Sequence, residues 1–285
     1  MTQTLGVIGG SGIDKIDELV FIKNHKIKTP WGQPSGSILE CKFNGLKFFF
    51  LHRHGNNHKL SPSSINYRAN IDAFKQLGVS DILSLSSVGS LRNELIPGNF
   101  VIIDQYIDLT KNRESTFFED DIVVHVSMAK PTDKTLMQIA KLSLDSLSIN
   151  YTFGVSYVCI EGPQFSTLSE SKLYKNWGCD VIGMTNMPEA KLCKEASIRY
   201  ASIGMITDYD CWHPNYENVE VLNVIDTLKS NTKKAHKFIM DFLSKYSKTK
   251  IESNLDAYLS LVTPNNKISK KTIDKLKNIM PQLQK

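Results

Sequence analysis

The sequence is poor in cysteine and proline and has no long hydrophobic run. Its five cysteines are odd in number and widely spaced, with no Cys-x-x-Cys pair, which argues against a disulfide framework and a structural zinc site. Only 10 prolines in 285 residues, of which 41% are hydrophobic, exclude a collagen-like or disordered chain. No segment approaches the roughly 18 apolar residues that a membrane helix needs, and no secretory signal is recognisable. The composition therefore predicts a cytoplasmic globular protein with no membrane partner.

Positive charge is concentrated in the C-terminal part of the sequence. The net charge is +5, yet residues 229–285 contain 13 lysines and 4 acidic residues, so the rest of the chain is net acidic. A protein that binds nucleic acid carries its basic residues on the binding surface. No nucleic-acid partner is expected, and a basic tail that binds nucleic acid is left as an alternative.

Short apolar segments rich in β-branched residues recur along the chain and predict buried strands. They span residues 5–8, 46–51, 82–86, 100–103, 157–160, 181–182 and 200–206. Helical patterns cover residues 66–77, 132–147, 166–177 and 221 to about 246. Strands that alternate with helices predict an α/β protein with a largely parallel or mixed sheet.

The sequence predicts one domain over residues 1–250 and a lysine-rich helical extension over residues 251–285. Apolar residues recur in the extension at roughly helical spacing: Ile268, Ile273, Leu276, Ile279, Met280 and Leu283. This spacing fits a helix packed on its own subunit or one that contacts a neighbouring subunit.

Three predicted strands end in residues suited to an anion. They end in Gly9-Gly10-Ser11-Gly12, Arg53-His54-Gly55 and Ser86-Ser87-Val88-Gly89-Ser90. Glycines expose backbone N–H groups, hydroxyls add donors, and an arginine fork can bind two phosphate oxygens at once. Neither the dinucleotide-binding nor the P-loop pattern is present. Because ligands gather at the carboxyl ends of strands in α/β sheets, we expect one phosphate site, with tight turns and a structural histidine as the alternative.

A pair of carboxylates, Asp208 and Asp210, follows the last predicted strand within Thr207-Asp208-Tyr209-Asp210-Cys211-Trp212. A buried carboxyl group can donate to a ring nitrogen of a heteroaromatic base and, when ionised, accept from an exocyclic amine. A solvated acidic turn or a metal site is the alternative. Two carboxylates without a neighbouring histidine or aspartate cluster make a thin ligand set, so no metal is expected.

Seven motifs in order resemble those of the trimeric purine nucleoside phosphorylases, over roughly residues 5–244. The motifs are Gly9-Gly10-Ser11-Gly12, Arg53-His54-Gly55, Asn66-Tyr67-Arg68-Ala69-Asn70, Val88-Gly89-Ser90-Leu91, Ile160-Glu161-Gly162-Pro163, Gly183-Met184-Thr185-Asn186-Met187-Pro188-Glu189 and Thr207-Asp208-Tyr209-Asp210-Cys211-Trp212. The resemblance implies a single α/β domain with a mixed central sheet that closes into a distorted barrel flanked by helices. It also implies a homotrimer with active sites near the subunit interfaces.

The resemblance implies a role for particular residues. Phosphate binding falls to Ser11, Arg53, His54, Ser86, Ser87 and Thr185. Ribose and base binding falls to Phe165 and Met184, and purine recognition and catalysis to Asp208 and Asp210. His125 matches a residue supplied to the 5′ pocket of the neighbouring subunit, and Ser166 and Val221 match specificity positions.

The implied reaction is phosphorolysis of a nucleoside, with inorganic phosphate as co-substrate and no metal or organic cofactor. The carboxylate pair favours a 6-aminopurine, and an apolar 5′ pocket favours methylthioadenosine. A phosphorylase acting on inosine, guanosine or methylthioinosine, and a non-catalytic nucleoside-binding protein, are the alternatives. Gln164 departs from the arginine common in the family, and Ser11 and Ser86 stand where threonine is common in the thioadenosine enzymes.

Overall fold

Four strands come first in the fold, and helices separate most of the later strands. The structure, a computed structural model, describes residues 3–10, 16, 18–119, 121–214, 221–252 and 256–284, without the side chains of residues 221–226. The strands are β1 (Leu5–Gly9), β2 (Val20–His25), β3 (Ile38–Phe43), β4 (Leu46–His52), β5 (Asp81–Ser90), β6 (Phe100–Asp108), β7 (Tyr151–Cys159), β8 (Val181–Gly183) and β9 (Arg199–Asp208). The helices are α1 (Tyr67–Gln76), α2 (Lys134–Ser146), α3 (Leu168–Asn176), α4 (Asn186–Glu195), α5 (Val221–Tyr246) and α6 (Lys270–Lys275).

The nine strands found in the described residues belong to one mixed sheet that closes on itself. Its order is β2-β3-β4-β1-β5-β8-β7-β6-β9, and β5 also pairs in parallel with β9. This last pairing closes β5, β8, β7, β6 and β9 into a five-stranded barrel, while β1 to β4 extend the sheet beyond it. The predicted mixed sheet closing into a distorted barrel is confirmed.

Burial explains why the barrel strands were recognisable from sequence. Strands β5 and β9 are buried along nearly their whole length. Strands covered on both faces consist of continuous apolar runs, and that was the signal used to predict them. Strand β2 and its partner β3 were not predicted, because β2 lies at the edge of the sheet and is largely exposed.

Capping side chains fix where three of the helices begin. The Asn66 side chain accepts a hydrogen bond from the N–H of Ala69 at the start of α1, and Asp133 plays the same part for α2. Thr167 and Glu170 form a reciprocal capping box at the start of α3. These starts lie within two residues of the predicted ones. Helix α4 was not predicted, and Met187 inside it departs from helical geometry.

The segment that follows α5 packs on its own chain. Ile268, Leu276, Ile279, Met280 and Leu283 are buried in the same apolar cluster as residues of β1 and α1. Among the described residues of this segment, α6 is α-helical, and short 3-10 turns lie on either side of it. A contact between this segment and a neighbouring subunit stays a prediction. Within the part of the chain that the structure describes, no helix is both long and apolar enough to cross a membrane.

Candidate active site

A cavity of about 610 Å³ opens where several strands end. Its walls come from the ends of β4, β5, β8 and β9 and from the loop after β7, and Leu228 and Thr232 of α5 also line it. Carboxyl ends of strands gather at one place in an α/β sheet. The predicted convergence of the strand ends is therefore observed.

The cavity brings together most of the predicted site residues. Those that line it are Arg53, His54, Ser86, Ser87, Phe165, Ser166, Met184, Thr185, Asp208 and Asp210. Ser11 lies outside the described residues, although its neighbour Gly10 lines the cavity. The side chain of Val221 is likewise outside the description. His125 is exposed and does not line the cavity of its own chain.

Arg53 lies at one end of the cavity with only 1% of its surface exposed. Its Nε donates to Glu189 Oε2 at 2.9 Å and its Nη2 donates to Glu189 Oε1 and to Ser84 Oγ, at 3.2 and 2.6 Å. Nη1 donates to the carbonyl oxygen of Leu85 at 3.0 Å. Four of the five N–H donors of Arg53 thus have partners. Among the described residues the second N–H of Nη1 has none, so it is the donor that can reach a phosphate oxygen. Although burial alone would lower the pKa of Arg53, the Glu189 carboxylate raises it and keeps the guanidinium charged.

His54 is held as a neutral imidazole beside Arg53. Its Nδ1 lies 2.9 Å from the carbonyl oxygen of Leu60, which can only accept, so Nδ1 carries the proton. Burial and the charge of Arg53 lower the pKa of His54 to about 4. Nε2 is therefore unprotonated near neutral pH, and His54 is suited to accept a hydrogen bond from a protonated phosphate oxygen rather than to supply a second positive charge.

Hydroxyl groups supply further donors at the same end. Ser86 Oγ is buried and has no hydrogen-bond partner among the described residues. Thr185 precedes the first residue of α4, and its side chain makes no capping hydrogen bond. A helix N-terminus favours a negative charge, and these hydroxyls remain available to a ligand.

Two carboxyl groups, the half-buried Asp208 and the buried Asp210, give another part of the cavity an acidic character. Asp208 Oδ1 accepts from the N–H of Asp210 at 2.8 Å, and its Oδ2 accepts from Thr207 Oγ1 at 2.7 Å. Burial raises the pKa of Asp208, and burial together with the neighbouring Asp208 charge raises the pKa of Asp210. Asp210 Oδ2 has no hydrogen-bond partner among the described residues. A Cβ at Gly89 would lie 2.9 Å from Asp208 Oδ1, so glycine is required for this close approach.

The loop after β7 forms the remaining wall. Phe165 is 54% exposed at the cavity, whereas Ser166 Oγ is buried without a hydrogen-bond partner in the described part of the chain. Cys211 Sγ lies 3.3 Å from the carbonyl oxygen of Ser166 and ties this loop to the segment that carries the two aspartates.

Sequence reasoning assigned no role to Glu189, which neutralises Arg53, or to Arg113, which lies behind the cavity wall. Glu189 belongs to one of the seven motifs, and an acidic residue in that motif could have indicated a partner for Arg53. Arg113 offered no local signal, because its partners lie about 50 to 70 positions away. The five cysteines are free, and the described residues contain no group of three or more histidine, cysteine or acidic side chains arranged to hold a metal.

Comparison with known proteins identifies the family. The model of the phosphorylase superfamily matches residues 4–244. The S-methyl-5′-thioadenosine phosphorylase of Rhodospirillum rubrum is 52% identical over 235 residues, which cover 82% of this chain and 80% of that protein. The protein of the same name from Thermosynechococcus vestitus is 42% identical over 283 residues, or 97% of each chain. The chain belongs to the S-methyl-5′-thioadenosine phosphorylase family.

Solved structures agree with this family. A methylthioadenosine phosphorylase from an antarctic soil metagenomic library has a TM-score of 0.94 and 43% identity, with 98% of this chain and 99% of that chain covered. The methylthioadenosine phosphorylase from Schistosoma mansoni in complex with adenine has a TM-score of 0.83 and 33% identity, with 87% and 93% covered. The family predicted from the seven motifs is confirmed, and this member of the S-methyl-5′-thioadenosine phosphorylase family shares the fold of its relatives over nearly its whole length.

Proposed function

We propose that the protein catalyses, in the cytoplasm, the phosphorolysis of S-methyl-5′-thioadenosine to adenine and 5-methylthioribose 1-phosphate. One observation carries the proposal: a single cavity combines a buried arginine and several hydroxyl groups with a pair of neighbouring carboxyl groups, Asp208 and Asp210. The names and the identity of the family members support the choice of substrate.

The reaction follows from this division of the cavity. An oxygen of phosphate bonds to C1′ as the bond from C1′ to purine N9 breaks, and the bonding electrons pass to the purine. The sugar becomes positively charged in the transition state, and the bound phosphate stabilises it. Arg53 Nη1 and the hydroxyls of Ser86, Ser87 and Thr185 hold the phosphate, while His54 accepts its proton in a hydrogen bond. Ser11 is assigned the same part from the family resemblance.

The leaving purine needs a proton. Asp208, whose pKa is raised by burial, delivers it to N7, and an ionised Asp210 accepts from the 6-amino group. Phe165 and Met184 pack against the base and ribose. Ser166 and Val221 are assigned to specificity, and Leu228 supplies apolar surface from α5. Inorganic phosphate is the co-substrate, and the proposal includes no other cofactor.

A substrate panel tests the reaction. Methylthioadenosine, adenosine, methylthioinosine and inosine are incubated with enzyme, with and without phosphate, and release of the free base is followed. We expect phosphate-dependent release that is fastest from methylthioadenosine. Preference for a 6-oxo nucleoside would contradict the role of Asp208 and Asp210, and binding without turnover would indicate a nucleoside-binding protein.

We further propose that the protein is a homotrimer in which His125 reaches the cavity of a neighbouring subunit. His125 lies on a short extended segment that pairs with the segment around Leu261, through His125 N–H to Ser260 O at 3.0 Å. The paired segments expose Val123, Leu259 and Val262 by 45%, 81% and 59%. An exposed apolar patch of this kind suits an interface between subunits.

Mixed oligomers test the placement of His125. We expect H125A to raise the KM for methylthioadenosine about tenfold, because a 5′ contact is lost. We expect D208N to lower kcat about 10³-fold, so that its own cavities add almost nothing to the measured rate. The two variants are unfolded together and refolded as mixed trimers. Some cavities then have native Asp208 from an H125A chain and native His125 from a neighbouring D208N chain. Activity with the low KM of the native enzyme should reappear in these cavities. A sedimentation mass of one chain, or mixed samples with only the KM of H125A, would contradict the proposal.

A further inference from the structure

Arg113 is a buried arginine that does not line the cavity. Its side chain is 1% exposed, and its planar group is surrounded by oxygen atoms. Nε donates to Glu161 Oε1 at 3.1 Å and Nη2 donates to the carbonyl oxygen of Glu161 at 2.6 Å. Nη1 lies 2.7 Å from the carbonyl oxygen of Met184, 2.6 Å from that of Met187 and 3.1 Å from Tyr67 Oη.

These oxygens belong to two separate walls of the cavity. Glu161 directly precedes the loop that carries Pro163 and Phe165 against the ligand space. Met184 and Met187 flank Thr185, the hydroxyl residue at the start of α4. The Arg113 guanidinium therefore connects the loop that carries Phe165, which is assigned to the purine, with the segment around Thr185, which is assigned to phosphate.

Glu161 connects a third wall to the same cation. Its Oε1 accepts from Ser63 Oγ at 2.7 Å, and Ser63 directly follows Ser61 and Pro62, which line the cavity. Its Oε2 accepts from the backbone N–H groups of Lys111 and Asn112, at 2.6 and 3.1 Å. These donors outweigh the effect of burial and lower the pKa of Glu161 to about 2, so it stays ionised and paired with Arg113.

The loop that carries Arg113 is anchored again a few residues later. The Glu195 carboxylate of α4 accepts from Thr116 Oγ1 at 2.8 Å and from the N–H of Phe117 at 2.7 Å. Arg68 of α1 pairs with Glu119. Arg113 therefore projects from a segment that is fixed relative to α1 and α4. Through its hydrogen bonds it holds the cavity walls in a fixed position relative to these helices.

We propose that Arg113 is a positioning residue that holds Phe165, Met184 and Thr185 in the relative places needed for a nucleoside and a phosphate to react. Lysine cannot replace it, because an ammonium group has three donors at one point, whereas the guanidinium reaches oxygens of four residues around a plane. This role rests on the proposed phosphorolysis. A misplacement of about 1 Å between reacting groups can cost about 100-fold in rate.

The test compares R113K with R199K. Arg199 is also a buried arginine, paired with Asp81 through Nη2 at 2.7 Å, but it lies at the start of β9, nine residues or about 30 Å of strand from Asp208. We expect both variants to melt at lower temperature. R113K should lower kcat about 100-fold and raise the KM for both methylthioadenosine and phosphate, whereas R199K should leave all three within about twofold. Equal kinetic losses in the two variants would overturn the proposal.

Two further measurements keep the test decisive. E161Q keeps the size of the side chain that pairs with Arg113 but removes its charge. We expect kcat to fall about tenfold and both KM values to rise, as in R113K but less strongly. Unchanged kinetics in E161Q would count against the proposal. Binding of adenine with phosphate present, measured by calorimetry, needs no turnover, and we expect R113K alone of the two arginine variants to weaken it. If the native enzyme cleaves no nucleoside, the proposed function fails, and the adenine affinities alone then decide whether Arg113 positions the cavity walls.

Discussion

D208N is expected to lower kcat for phosphorolysis of methylthioadenosine about 10³-fold while changing its KM only modestly. General acid catalysis contributes about 10²- to 10⁴-fold, and an amide cannot transfer a proton to the purine. Asparagine can still accept from the N–H of Asp210 through its oxygen, so the loop that now depends on Asp208 Oδ1 is retained. Steady-state release of adenine gives both constants.

The pH profile separates this role from simple binding. The acid must be protonated to act, and burial raises the pKa of Asp208, so kcat should fall as the pH rises through that pKa. The residual rate of D208N should lack this fall. D210N serves as the matched control, because it removes the negative charge of the acceptor for the 6-amino group while keeping an oxygen there, and this should affect KM more than kcat. A D208N enzyme within tenfold of the native kcat would contradict proton donation by Asp208.

E189Q is expected to lower the free energy of unfolding by about 3 kcal/mol and to raise the KM for phosphate. Glu189 is 1% exposed and faces the equally buried Arg53, so the substitution leaves a buried cation without its counter-ion. The Glu189 oxygens also accept from Ser84 Oγ and Tyr200 Oη, at 2.7 and 2.8 Å. Urea unfolding gives the stability, and initial rates at varied phosphate give the KM.

D145N provides the comparison for that experiment. Asp145 pairs with Lys141 on the surface of α2, where both side chains are more than a third exposed. Exposed pairs of this kind contribute little, so D145N should shift the urea midpoint far less than E189Q. Equal shifts of the urea midpoint in D145N and E189Q would mean that the buried charge of Arg53 does not need the Glu189 carboxylate as its counter-ion.

The convergence of the site was predictable because it depends on local signals. Arg53 directly follows β4, Ser86 lies in the second half of β5 and Asp208 ends β9. The geometry of an α/β sheet brings such strand ends together. How the donors of Arg53 are used was not predictable. Glu189 is 136 positions away, and only the fold shows that it engages two of the three guanidinium nitrogens.

The remaining differences lie at one edge of the sheet and in the segment after α5. Strand β2 begins with the short apolar run Val20-Phe21-Ile22, but it pairs with one neighbour only and leaves these side chains about half exposed, unlike the inner strands, whose apolar residues are buried. In the segment after α5, the spacing of Leu276 and Ile279 marks residues that are buried, and the structure places both just beyond α6.

The docking of that segment has a consequence for how the chain acquires its fold during synthesis. Ile8 and Leu283 belong to one apolar cluster, although 274 residues separate them in the sequence. Lys275 lies 4.4 Å from the ring of Trp31, and Asn278 donates to Asp72 of α1 at 3.3 Å. Contacts between residues so distant in sequence slow folding. The cluster can be completed only after residues near 280 have left the ribosome, so part of the apolar surface of β1 and α1 stays uncovered until then and is open to chaperones.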